Sequence, residues 1–364
     1  MPYLTLASTI DSSRRALASR VTLALEFEGE VTPASTSTSM LWLHAVEADG
    51  GPDEVVLSYA SDGTLYMGNL DLTSSANLAT VGWTAVALAT TVTDTWHVFQ
   101  RGEHWVSAYG SGTQEVSVAR VDATGFRLVR EAVIATDASF LGNDHFLAAS
   151  PGGAVLGVVD PAGPRIVAYK LDSDLNVVSS TPVTAVSPMT NMSSGRRVEL
   201  SFGSWGQGGW DASAQARWLL VGPDSAPLVE DGVEPRENVL VGAFVDRDWL
   251  PVQPLFEALG RRYTITGQLL CMPTAIAFEN DHVLVTYVRG PLGTFLCGDR
   301  GTIARALFDR TGAQEGSEEV LVADVGCRPH TVRVGDRLVT TWDEQGGGFQ
   351  PLTGHARVER ISLG

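Results

Sequence analysis

Lysine is almost missing from this chain: Lys170 stands alone beside 24 arginines. A bias this general reads as a property of the source genome rather than of a binding surface, so no function follows from it. Cysteine is scarce as well. Cys271, Cys297 and Cys327 give an odd count with no CxxC spacing, which removes zinc-ribbon and thioredoxin readings and leaves room for one intrachain disulfide at most. No apolar run approaches the roughly 18 residues that cross a bilayer as a helix. The opening MPYLTLASTIDSSRR has too short an apolar stretch for a signal peptide. The compartment expected is therefore the cytoplasm, or an extracytoplasmic space if the chain begins after processing. Positive charge is also in deficit, with 25 Lys and Arg against 42 Asp and Glu and a net charge of −17. Such a chain repels nucleic-acid phosphate and anionic membrane, and nucleic acid is excluded as its main partner.

What is present points to β structure. Hydrophobic residues are 44% and charged residues 18%, with 38 Gly and 17 Pro; Val, Thr, Ser and Leu recur throughout. A repeat runs through the chain. GEHWVSAY opens at Gly102, and the same frame returns as NDHFLAAS at Asn143, GRRVELSF at Gly195, NDHVLVTY at Asn280 and GDRLVTTW at Gly335, with a weaker copy, PDEVVLSY, at Pro52. Each copy follows another apolar run, such as WHVF, TAIAF or HTVRV, so its polar opening is the turn of an antiparallel hairpin. A third run then ends in Asp, at Asp122, Asp172, Asp246 and Asp309, and after a further turn a fourth apolar run follows. Hairpin, third strand, turn and fourth strand make one blade of a β-propeller.

The expected fold is thus all-β, a single propeller of six blades, with seven as the alternative. The expected divisions are 1–39 for closure, 40–95, 96–138, 139–188, 189–267 and 268–324 for blades one to five, and 325–364 for blade six. The last blade has HARVERISL as its third strand and then ends, so its fourth strand is expected from the N-terminal VTLALEF at Val21. The second candidate frame in the long interval, ENVLVGAF at Glu237, reads better as a third strand because it runs into Asp246. RLVTTW and VARVDATG resemble the generic bacterial propeller repeats in which an LVVW-like strand precedes an ARVD-x-x-G strand. That resemblance implies a fold and no particular activity. SDGTLY at Ser61 lacks the spacing of the sialidase Asp-box.

In a propeller the first strand of each blade lines the central channel. His97 lies five residues before Gly102 and His330 five before Gly335, which puts both in one register on blades two and six. His44 lies on the inner strand of blade one, between them in a closed ring. Three imidazoles so placed can ligate a divalent metal, the one cofactor candidate, or position a substrate and move protons. The plainer reading makes them channel-lining groups hydrogen-bonded to water or backbone, and replacing His97 and His330 tests the two without an expected change in melting. Asp94 joins His97 and His330 as a candidate acid or base, and Asp137 holds a similar place, although turns also favour Asp. Trp96 and Arg328 are candidate ligand-binding residues, Arg328 as a bidentate grip on an anion. Cys271 and Cys327 open inner strands, where a disulfide or reactive thiol competes with the commoner role of a small apolar side chain. Trp205 and Trp210 lie in a Gly-rich insertion, FGSWGQGGWDASAQARW, suited to stacking on sugar rings or covering a channel mouth; Trp218 at its end suits a core.

The leading expectation is a propeller that binds a glycan or another small polar molecule at one channel mouth. A hydrolase or lyase working through His44, His97 and His330 is the alternative. A structural module for a protein partner is the third, and it predicts an undecorated channel.

Overall fold

The apolar runs form strands of about eight residues, and the second strands of the blades, such as 54–61, 103–110 and 337–344, are buried on both faces. The structure, a computed structural model, describes residues 21–34, 43–110, 112–136, 145–150, 152–160, 165–183, 217–224, 239–246, 251–257, 268–278, 282–291, 301–309, 313–344 and 353–364. β1 (Val21–Val31) precedes a four-stranded antiparallel sheet of β2 (His44–Glu47), β3 (Glu54–Ser61), β4 (Thr64–Asp71) and β5 (Gly82–Val86). The next sheet holds β6 (Asp94–Gln100), β7 (Glu103–Gly110), β8 (Glu115–Asp122) and β9 (Leu128–Ala135). The third holds β10 (His145–Ser150), β11 (Gly153–Asp160), β12 (Arg165–Asp172) and β13 (Val177–Val183). Three strands follow as one sheet, β14 (Arg217–Asp224), β15 (Val239–Asp246) and β16 (Pro251–Glu257). Last come β17 (Gln268–Ala277), β18 (Val283–Pro291), β19 (Gly301–Phe308), β20 (Gln314–Val334), β21 (Arg337–Glu344) and β22 (Thr353–Leu363).

These last strands join with β1 in one seven-stranded ladder because β20 belongs to two blades at once. Its first part pairs with β19 from Gln314 to Gly326, and its second pairs with β21 from Gly326 to Val334. The strands closest to the axis stand side by side: β20 and β6 against β2, β10 against β6, and β17 against β14 and β20. The chain is an all-β propeller.

Closure by the N-terminal strand is direct. β1 runs antiparallel to β22, from Val21 opposite Leu363 to Val31 opposite Gly354, with a bulge that makes Glu26 the extra residue. Glu26 meets Arg337 and Arg360 at 2.6 and 2.8 Å, and Arg337 also reaches Asp53 on the first blade. Beneath these ion pairs a continuous apolar core joins the first and last blades, with Leu43, Leu57, Tyr59 and Leu78 on one side and Val332, Val339 and Val358 on the other. Face-to-face packing on both sides of a sheet explains why Glu54–Ser61 is buried at seven of eight positions rather than alternating.

Among the described residues, four Asp side chains that end third strands are turn caps. Asp122 accepts from the backbone N–H of Thr124, Gly125 and Arg127, and these bonds hold its carboxyl at about 2. Asp71, Asp172 and Asp309 accept in the same way from Thr73, from Asp174 and Asn176, and from Ala313. The two-residue turn Arg101–Gly102 has positive φ at both positions, the geometry of a type I′ hairpin.

One copy of the repeat sits out of phase. NDHFLAAS, read with the others as the second strand of its blade, forms β10, the first strand of its sheet. Its apolar pattern suits either place, because both strands are buried on two faces.

A buried ion pair ties β19 to β22. Arg305 donates to both oxygens of Glu359 at 2.5 and 2.8 Å, with the two side chains 3% and 1% exposed, and reaches the half-exposed Glu319 at 2.9 Å. Glu359→Ala strands a buried guanidinium and is expected to lower unfolding free energy by about 3 kcal/mol. Glu319→Ala should cost under about 1 kcal/mol. Equal losses in urea titrations of the two variants would show that burial is not what makes Glu359 matter.

Candidate functional site

Residues alternate across a strand, so neighbouring side chains on β6 leave opposite faces. Trp96 packs against His44 on β2 and His330 on β20, with ring centroids 5.1 and 5.5 Å away, and His44 meets His330 at 4.6 Å. All three contacts are edge-to-face, the favoured arrangement for aromatic rings. His330 accepts through Nδ1 from the Ala45 N–H at 3.4 Å, which makes Nε2 the protonated nitrogen of its neutral ring.

His97 points elsewhere. Its Nδ1 lies 2.9 Å from Ser58 Oγ on β3, and its Nε2 lies 3.0 Å from His104 Nδ1 on β7. The structure therefore brings His44, His330 and Trp96 together and seats His97 between the first two blades. Among the described residues no group of three His, Cys, Asp or Glu side chains is placed to hold a metal ion.

Every ring in the cluster is 3% exposed or less. Burial drives His44 and His97 well below their ordinary value, and the charges of neighbouring histidines push the same way. Burial alone lowers His330 to about 3, while His104 is lowered to about 4 by burial against a small opposing pull from Asp122. The imidazoles are neutral at pH 7. Ser58 with His97 has the spacing of a nucleophile and its base, but so weak a base does little to activate a hydroxyl.

Burial also corrects one expectation. Side chains this enclosed cannot be cut to Ala without loss of packing, so His97→Ala and His330→Ala should lower the melting temperature.

Three members of the cluster were not singled out in the sequence. His145 on β10 lies close enough for its charge to bear on His44, and it was overlooked because its repeat copy is out of phase. Ser58 carries no signal beyond its place opposite His44 in the β2–β3 ladder. His104 had one, since His104, His145 and His282 share the third place of the repeat frame. Five of the seven histidines, His44, His97, His104, His145 and His330, belong to this one region.

Asp94 lies on β6 opposite Tyr109, and Arg328 and Cys327 lie on β20 and Cys271 on β17; their side chains fall outside the description. Trp205, Trp210, Asp137 and Cys297 lie outside the described residues, and Trp218 is on β14.

No protein-family model matches the chain, and no curated protein matches it in sequence. Solved structures do match in shape. An α-L-arabinofuranosidase from Fusarium graminearum, solved with an iminosugar inhibitor, aligns over 93% of this chain and 98% of its own at 12% identity and a TM-score of 0.58. The same enzyme with arabinobiose aligns at 11% identity over the same shares, with a TM-score of 0.58. A protein of unknown function from Dyadobacter fermentans aligns over 94% of this chain and 99% of its own at 13% identity and a TM-score of 0.55. At such identities the likeness speaks to the fold alone.

Proposed function

We propose that the protein binds a neutral, hydroxyl-rich ligand, a carbohydrate or a similar small polar molecule, at the channel end floored by His44, Trp96 and His330. The observation that carries this reading is the convergence of neutral imidazoles and an indole from separate inner strands onto one place. A neutral imidazole offers one donor and one acceptor, and an indole offers an apolar face and an N–H, which together suit sugar hydroxyls and C–H faces. Sugar occupancy of the arabinofuranosidase that shares the fold is in keeping with it.

Binding is favoured over catalysis by the chemistry of the cluster. Among the described residues the one carboxylate whose charge bears on these imidazoles is Asp122, on His104. Glycoside hydrolysis ordinarily uses a pair of carboxyl groups, and low-pKa imidazoles are poor general bases at neutral pH.

Titration calorimetry of the wild type against neutral oligosaccharides, arabinan fragments among them, tests the reading. His330→Gln retains a donor and an acceptor but not the ring, and it should weaken binding at least about tenfold, the worth of one good hydrogen bond. A wild type that binds no neutral oligosaccharide sinks the proposal. Equal affinity in the folded variant would move the site away from His330.

A further inference from the structure

The closing strand meets β22 in one register, and its alternation of apolar residues does not choose that register alone. A slip of one residue would turn Phe27 and Val31 out of the core, which the buried face forbids. A slip of two keeps every face and must be refused by something else. Gly29, opposite Ala356, passes beneath Leu78 of a short helical turn on the first blade, Ser75–Thr80. A Cβ at Gly29 would stand 3.0 Å from Leu78 Cδ1, so the strand comes this close only where it has no side chain. Slipping by two in one direction brings Val31 opposite Ala356, and in the other direction Phe27. Either side chain would drive Leu78, itself 1% exposed, out of the core between the first and last blades. Charge makes the same choice. Glu28 accepts from Arg357, directly opposite, at 3.2 Å, and the bulged Glu26 accepts from Arg337 and Arg360. The first slip would set Glu28 opposite Glu359, and the second would carry Glu26 away from Arg337 and Arg360. Like charges directly opposite destabilise a ladder as opposite charges stabilise it.

We infer that the edge of β22, together with Leu78, is a strand-docking site that reads Glu28 and Gly29 and so takes one strand in one register. What fits it is an acidic extended segment with a glycine between two glutamates, as in Phe27 to Val31. A strand that brings a side chain to the place of Gly29, or a base opposite Arg357, is refused. β1 is thereby a strap keyed to its own blade, and the key protects the last edge of the ring from foreign strands.

The test is NMR of the full chain labelled on glycine and alanine, in which a cross-strand contact between Gly29 and Ala356 reports the register. Gly29→Val combined with Val31→Gly moves the glycine two places along, and the strand should follow. The glycine introduced at position 31 should then take over the contact with Ala356. A folded double variant without that contact overturns the inference. Glu28→Lys decides the matter if the double variant does not fold, because it changes only an exposed pair. With a like charge opposite Arg357, hydrogen exchange of the β1 amides should speed up about fivefold. Glu30 faces His355, whose ion pair is with Glu344, so Glu30→Lys should change the same rates by less than about twofold. Equal rates in the two single variants would show that the site does not read Glu28, and the inference would fall.

Discussion

Deleting residues 1–31 is expected to cost the propeller on the order of 5 kcal/mol, enough to leave little folded protein at 37 °C. β1 covers the outer edge of β22 along most of its length, and without it the last blade ends in unpaired N–H and C=O groups. Buried apolar surface is lost with it. Val31 is 2% exposed, Phe27 packs against the core between the first and last blades, and Val21 and Leu23 pack against Ile276, Leu338 and Ile361. A fully buried side chain of this size contributes roughly 1.5 to 3 kcal/mol, and two full equivalents approach the estimate. The residues just after the strand are tied to the first blade, since Trp83 donates to the Thr32 carbonyl and Ala34 to the Tyr59 hydroxyl, and the deletion cuts the last blade off from this anchor. Calorimetry of the truncated chain should show a strongly lowered or absent transition, and a peptide spanning residues 20–34 should restore part of it. An unchanged melting temperature would mean that the ladder to β1 adds no stability.

The closing strand was legible because a propeller leaves a definite vacancy. HARVERISL ends the chain one strand short of a blade, and VTLALEF was the apolar run without another place. The turns were legible for a similar reason, as Gly335 takes positive φ and Asp122 caps the loop that follows it. The phase of NDHFLAAS was not. In a sheet packed on both faces, first and second strands have the same continuous apolar character, so composition cannot order them. The same blindness hid His145.

The site was legible in its parts more than in its geometry. The shared register of His97 and His330, read from a five-residue offset to two glycines, does not hold: β6 closes its hairpin at Gln100 opposite Glu103 and β20 at Val334 opposite Arg337, so His330 corresponds to Trp96 and His97 to Thr331, and it is Trp96 that meets His44 and His330. The glycine is the second turn residue in Arg101–Gly102 and the first in Gly335–Asp336, and this one-residue difference puts Trp96 rather than His97 on the face equivalent to that of His330. Ser58 on β3 and His104 on β7 turn His97 toward the interface between blades, and neither is adjacent in sequence. Burial was the least legible property. A channel-lining register says that side chains face the axis; here three rings from adjacent strands pack against one another and are each 3% exposed or less.

That exclusion predicts a steep acid transition. Folded His44, His97, His104 and His330 all titrate below the ordinary 6.5, His104 at about 4 and His330 at about 3, while in the unfolded chain each takes a proton near 6.5. Between these values the unfolded state binds more protons than the folded state, so unfolding free energy falls as pH falls. Stability is complete above about pH 7 and begins to drain near 6.5. Each histidine removes up to about 1.4 kcal/mol per pH unit, and four together reach about 5 kcal/mol per unit. Going from pH 7 to pH 5 then costs roughly 7 kcal/mol, comparable to the whole stability of many domains. Glu47, an exposed residue at the end of β2 whose carboxyl is raised by partial desolvation, acts in the opposite direction, and only as carboxyl groups begin to titrate. Asp122, held at about 2, adds its own loss below the unfolded carboxyl range. The midpoint of acid unfolding should therefore lie near pH 5, above the range in which carboxylates alone would unfold the chain. Urea midpoints measured from pH 7.5 to 5 give the slope, and His104→Phe should reduce it by about a quarter while the other three histidines keep theirs. A midpoint that stays flat down to pH 5 would mean that the rings are solvated in solution, and the buried cluster would then have to be abandoned along with the slope.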